Sequence, residues 1–148
     1  MRIEPVSAAT LAGWTALRIA LWPDEDAAEL TEQAEQWLAG SDRRQLNLVA
    51  RGDDGTVIGF AEATIRHDYV NGCSTSPVAF LEGIYVDAAH RLRGVAAALV
   101  VAVADWGRAQ GCSEFASDAL LDNEASHAFH AAIGFVEQER VVCFAKPL

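Results

Sequence analysis

Among the residues able to do chemistry, one short segment has the makings of an anion cradle. In Val86-Asp87-Ala88-Ala89-His90-Arg91-Leu92-Arg93-Gly94-Val95-Ala96-Ala97-Ala98-Leu99 a strand-like run passes through a turn into a helix that opens on glycine and small residues. The first N–H groups of a helix have no intrahelical partner, and the positive end of the helix dipole adds to their attraction for phosphate. Gly94 lets a ligand approach the backbone closely, and Arg91 and Arg93 add positive charge, consistent with a diphosphate and a third phosphate. A Walker loop is excluded because no G-K-[ST] follows, and a dinucleotide fingerprint is excluded because G-x-G-x-x-G is missing. The plain alternative is a tight strand-to-helix turn with incidental arginines.

Two carboxylates stand out. Glu82 interrupts the otherwise apolar run Val78-Ala79-Phe80-Leu81-Glu82-Gly83-Ile84-Tyr85-Val86. An acid in such a strand is costly unless a cation or donors satisfy it, and a bound ammonium would do so. The alternative is a glutamate paired with Arg66 or another core group. Asp118 closes the short strand Glu114 to Ser117, at the carboxyl edge where open α/β sheets place ligands. Its alternative is a turn or helix-capping acid, since Asp122 and Asn123 follow. His127 and His130 stand three apart on one predicted helix, but no third ligand occurs at telling spacing, so no metal is expected.

These residues need a frame. Leu11, Trp14, Leu17, Arg18 and Leu21 repeat at helical spacing, and Trp22-Pro23-Asp24 breaks that helix. A second helix is expected from about Glu25 to Leu38, stopping before Gly40-Ser41-Asp42. Leu46 to Ala50 and Val57 to Ile65 flank Asp53-Asp54-Gly55 as a β-hairpin. Val78 to Val86 reads as a central strand covered on both faces. Further on come a long helix from Arg93 to Gln110, the strand Glu114 to Ser117, a helix from Asn123 to Ile133, and one or two closing strands within Val136 to Ala145. Trp14, Trp37 and Trp106 are assigned to the core. The order is a mixed α/β domain around one sheet, and 148 residues allow one such domain, spanning 1–148. With 21 acidic against 11 basic residues the formal charge is -10, the wrong sign for nucleic acid or an anionic membrane and the right sign for a cationic ligand. Cys73, Cys112 and Cys143 form no C-x-x-C pair and read as reduced thiols. No stretch approaches the roughly 20 apolar residues that span a bilayer, and the expected location is the cytoplasm.

Arg91-Leu92-Arg93-Gly94-Val95-Ala96 resembles the R/Q-x-x-G-x-G/A signature of the acetyl-CoA-dependent N-acetyltransferases of the GNAT superfamily. Asn123-x-x-Ser126-x-x-Phe129-His130-x-x-x-Gly134-Phe135 resembles its second motif. Within that superfamily, Ile65 to Gly72, Ser76-Pro77-Val78 with Phe80 to Val86, Ala116-Ser117-Asp118, and Leu17-Arg18 leading to Leu21-Trp22-Pro23 are similar to the aminoglycoside 6'-N-acetyltransferases.

The resemblance implies a GNAT fold: a mixed, mostly antiparallel central sheet splayed in the middle, with helices on both faces. It implies that backbone groups at Ile84 and Val86, with Tyr85 between them, pair with the pantetheine arm of acetyl-CoA. Arg91 and the turn Leu92, Arg93, Gly94, Val95, Ala96 and Ala97 would hold the pyrophosphate. Asn123 would lie near the pantetheine or thioester end, and a backbone N–H in the splay could polarise the thioester carbonyl. It implies that Glu82 accepts a proton from the acceptor amine, directly or through water, with Asp118 beside it. Trp22, Tyr69 and Glu139 would complete a site for a polycationic aminosugar. His130 stands where many members have a tyrosine thought to protonate the departing thiolate, which leaves the general acid open between His130, water and unaided departure. A homodimer is also implied. The same residues serve two other readings: acetylation of a polyamine or protein N-terminus, and a non-catalytic acyl-CoA-binding module.

Overall fold

The Asp53-Asp54-Gly55 turn closes as expected in the computed structural model, which describes residues 1–40 and 44–148 of the chain. Gly52 N–H donates to the Thr56 carbonyl at 2.8 Å, and the Asp54 carboxylate accepts from the Thr56 N–H at 3.0 Å. This hairpin joins β2 (Gln45–Arg51) to β3 (Val57–Arg66), and β4 (Val78–Val86) runs back along β3. With β1 (Arg2–Pro5) and β5 (Glu114–Ser117) they form one sheet in the order β1-β2-β3-β4-β5. The first three ladders are antiparallel and β4–β5 is parallel. The sheet is thus mixed and mostly antiparallel.

Strand parity decides what each helix covers. On β3, Ala61 and Ala63 join Leu99 and Val103 of α3 (Val95–Ala109), while Phe60 points the other way into a cluster with Val49, Trp14 of α1 (Leu11–Leu21) and Ala34 of α2 (Ala27–Ala39). Helices therefore cover both faces. α2 starts where Asp26 caps it, its carboxylate accepting from Ala28 N–H at 2.8 Å and Glu29 N–H at 3.0 Å. The Gly40 part of the expected stop follows the helix end at Ala39, whereas Ser41-Asp42 lies outside the described residues. α4 (Glu124–Ala132) leads to Phe135, whose ring packs 5.0 Å from Phe115 of β5.

The C-terminus departs from expectation. Residues 136–148 form no helix or strand, and Val136, Val142 and Phe144 are 75%, 72% and 93% exposed. A run of β-branched and aromatic residues such as Val141 to Phe144 expresses a preference, but a strand exists only where a ladder partner supplies its hydrogen bonds. The segment still touches the body: a Cβ placed on Gly72 would lie 2.6 Å from Gln138 Cβ.

Candidate active site

The register of β3 and β4 slips by one residue at the centre of the sheet. Glu62 pairs with Gly83 and Ala63 with Leu81, so Glu82 is the extra residue of a β-bulge. The β4–β5 ladder ends at the same level, with Leu81 opposite Ser117. The first residues beyond that last pair are Glu82 on one strand and Asp118 after the other, and both are exposed. The end of the β4–β5 ladder, the bulge and the two acidic positions coincide along the chain.

Glu82 is not the buried acid that its apolar strand suggests. Its side chain is 32% exposed and bound by its neighbours. Arg66 donates to Oε1 through Nε at 3.2 Å and through Nη2 at 2.9 Å, and Nη2 also reaches Oε2 at 2.8 Å. The Thr64 hydroxyl donates to Oε1 at 2.5 Å. The pairing with Arg66, one of the two readings open from sequence, is formed.

The buried acid is Glu62, on the same face of β3. Its side chain is 14% exposed, and Oε1 accepts from Trp14 Nε1 at 3.0 Å and lies 2.8 Å from Arg18 Nε. Burial pushes the Glu62 carboxyl above its ordinary value, against the opposing pull of Arg18 and Trp14. Arg18 in turn donates to the Leu30 carbonyl at 2.8 Å and to Gln33 Oε1 at 3.2 Å, tying α1 to α2 and the sheet. A pocket of about 220 Å³ opens on this face, lined by Glu62, Thr64, Glu82, Asn47, Gln45 and Gln33 among others. The sequence reading missed Glu62 and Thr64. Their signal was strand parity: both share the face of Phe60, where an acid cannot sit without partners.

Trp22 follows the end of α1 and lies against the bulge. A Cβ on Gly83 would come within 2.8 Å of its indole Cζ2, so only glycine leaves room for the ring. The Arg18 guanidinium stands 5.4 Å from the Trp22 ring, and Phe60 lies 6.2 Å away. Tyr69 is 80% exposed on the loop after β3. Glu139 is exposed next to Gln138, which touches Gly72, so the segment carrying Glu139 runs beside the Tyr69 loop.

At the cradle, Gly94 takes φ of +79°, a Cβ placed on it would meet nothing within 4 Å, and α3 begins without a side-chain cap. The N–H groups of Val95, Ala96 and Ala97 thus have neither an intrahelical acceptor nor a capping side chain. Leu92, with φ of 59°, is fully exposed at the tip of the turn, and Arg93 is exposed beside it. Arg91 folds back: its Nε donates to the Val86 carbonyl at 3.0 Å, and its guanidinium lies 5.4 Å from the Tyr85 ring. On the inner side, Ile84 pairs with Ala61, Tyr85 with Phe60 and Val86 with Gly59.

Asn123, not Asp118, caps α4, its Oδ1 accepting from Ser126 N–H at 3.0 Å. His130 reaches the end of β5: Nδ1 lies 2.7 Å from the Ser126 carbonyl, and Nε2 lies 2.9 Å from Ser117 Oγ. Ser117 Oγ is also 3.2 Å from the Leu81 carbonyl, so its one hydroxyl hydrogen serves one of the two at a time. His127 Nε2 is 3.0 Å from the Leu120 carbonyl, and the two histidines share no ligand site. Among the described residues no group of three or more His, Cys, Asp or Glu is placed to hold a metal, and no helix is long and apolar enough to cross a membrane.

Comparison with known proteins agrees with this geometry. The model of the Acetyltransferase (GNAT) family matches residues 11–135. An aminoglycoside N(6')-acetyltransferase type 1 of Acinetobacter genomosp. 13 is 51% identical over 146 residues, which cover 99% of this chain and 98% of that one. The apo crystal structure of an aminoglycoside antibiotic 6'-N-acetyltransferase from Acinetobacter haemolyticus superposes with a TM-score of 0.93 at 47% identity, covering 100% of this chain and 99% of that one. A second such enzyme, in complex with the bisubstrate analogue CoA-S-monomethyl-acetylneamine, gives 0.91 at 43% identity, covering 99% and 98%. With a family model across most of its length and relatives about half identical from end to end, the chain belongs to the GNAT acetyltransferase family.

Proposed function

We propose that this protein transfers the acetyl group of acetyl-CoA to the 6'-amino group of aminoglycoside antibiotics, by direct attack of the amine on the thioester, and so confers resistance. The observation that carries it is the place of two carboxylates, Glu82 and Asp118, as the first residues past the last β4–β5 pair. A cationic acceptor placed there stands in the mouth of the splay.

The residues fit acetyl-CoA. The uncapped start of α3 offers the N–H groups of Val95, Ala96 and Ala97 to a diphosphate, and Gly94 presents bare backbone. β5 ends opposite Leu81, so the rest of β4 can pair with an extended arm through Ile84 and Val86. Asn123, held by its cap, and Arg93 complete the contacts on the cofactor side. Bound there, acetyl-CoA supplies the activated acetyl group. The protein's own work is binding, orientation and proton transfer. Glu82 and Asp118 hold the acceptor ammonium, and Glu82 takes its proton directly or through one water, leaving a neutral amine. Trp22, seated on Gly83, and Tyr69 offer aromatic faces to the sugar ring, and Glu139 meets a distal ammonium. The net charge of -10 gathers a polycation toward this mouth.

One domain spanning 1–148 carries all of this, without a metal, in the cytoplasm. We infer a homodimer. The exposed Val141, Val142 and Phe144 are 52%, 72% and 93% accessible, apolar area that a second copy would cover.

The test is release of free coenzyme A thiol from acetyl-CoA with kanamycin, with spermidine and an N-terminal peptide as parallel acceptors. Release with kanamycin and a 6'-acetylated product are expected. Release only with another acceptor would overturn the substrate, and none with any acceptor would overturn catalysis.

A further inference from the structure

Glu82 is the bulged residue of β4, with no register partner of its own on β3. The carboxylate is nevertheless fixed. Oε1 receives three donor contacts, from the Thr64 hydroxyl and from Arg66 Nε and Nη2, whereas Oε2 receives one, from Arg66 Nη2. Each carboxylate oxygen offers two lone pairs, so Oε1 is saturated and Oε2 retains capacity. Arg66 itself is clamped, with its guanidinium 3.4 Å from the centroid of the Phe80 ring, and Phe80 is 4% exposed. A planar fork stacked on an aromatic face and held by two carboxylate oxygens is a rigid support.

We propose that Thr64 and Arg66 are positioning residues for the transfer: they anchor Glu82 through Oε1 and present Oε2 to the ammonium of the acceptor. This rests on the reading of Glu82 as the acceptor's carboxylate. Thr64 and Arg66 act by holding Glu82 in one orientation, and misorientation of a reacting group by even an ångström is expensive in rate. An arginine is required because a lysine keeps the charge but loses both the fork and the stack.

The experiment measures kcat and KM for kanamycin, and the Kd of coenzyme A, in wild-type protein, T64V, T64S, R66K, E82Q and the doubles T64V/E82Q and R66K/E82Q. T64V is nearly isosteric, and R66K probes the same support from the other donor. The expected result is a fall of about tenfold in kcat/KM for T64V, the loss of one hydrogen bond to a charged group at a half-exposed site, and a fall at least as large for R66K, which loses the fork and the stack. Coenzyme A binding stays unchanged, T64S retains activity near wild type, and neither change lowers activity further in the E82Q background. Wild-type-like T64V and R66K would overturn the proposal, and so would losses that persist undiminished beside E82Q, which would mark a general structural role. Silence of the wild-type protein with kanamycin would instead refute the acceptor reading on which it rests.

Discussion

Replacing Arg18 by methionine strips the buried Glu62 of its counter-ion. Both side chains are deeply placed, 9% and 14% exposed, so solvent screening does little for the pair. Breaking a buried pair by removing one partner costs about 3–5 kcal/mol. Arg18→Met also removes the hydrogen bonds to the Leu30 carbonyl and Gln33. Methionine refills most of the volume and Glu62 can take up a proton, both of which moderate the loss. We expect destabilisation of about 3 kcal/mol near pH 8, read by urea unfolding, and a fall in Tm of roughly 6–12 °C.

The pH dependence provides a second, independent check. Burial already raises the Glu62 carboxyl in the folded protein, and losing Arg18 raises it further. A raised folded value means that stability is fully present below the ordinary carboxylate range, near pH 4, and is lost as pH rises through the folded value. The gap between Arg18→Met and the wild type should therefore narrow as pH falls from 8 toward 5. Adding Glu62→Gln, which removes the charge but keeps an oxygen to accept from Trp14, should recover part of the loss and flatten the dependence. A single variant with unchanged stability, or a gap constant with pH and unaffected by Glu62→Gln, would refute the assignment of Arg18 as the counter-ion of a buried acid.

Three further outcomes follow from the same geometry. Glu82→Gln should lower turnover far more than coenzyme A binding, and equal activity would remove Glu82 from its assigned role. Gly83→Ala should raise KM for aminoglycosides severalfold, because the added Cβ meets the Trp22 indole at 2.8 Å; an unchanged KM would show that the Trp22 position is unimportant to the acceptor. Removal of residues 136–148 should convert a dimer to a monomer by sedimentation, and an unchanged mass would place the dimer contact elsewhere.

The sequence determined what depends on local preference. Asp53-Asp54-Gly55 makes its turn because its hydrogen bonds lie within five residues, from Gly52 to Thr56. The strands Val78–Val86 and Glu114–Ser117 run where their apolar residues predict, and Gly94 opens α3 because the left-handed backbone there suits a residue without Cβ. Helix ends fall within two residues of expectation for the same reason: caps such as Asp26 and Asn123 act over one turn. What required the tertiary structure is pairing at a distance. The bulge at Glu82 is a difference between two strands' registers, and neither strand contains it alone. Glu62 and Glu82 line one pocket, and which of them is the buried acid turned on which lies against Trp14 and Arg18 of α1. Arg66 could be named beside Glu82 as a partner, but its rivals among the core groups were removed only by the cross-strand geometry that stacks it on Phe80. At the C-terminus the strand preference within Val136 to Ala145 goes unrealised, because a β-ladder needs a second edge and none of the described strands pairs with that segment.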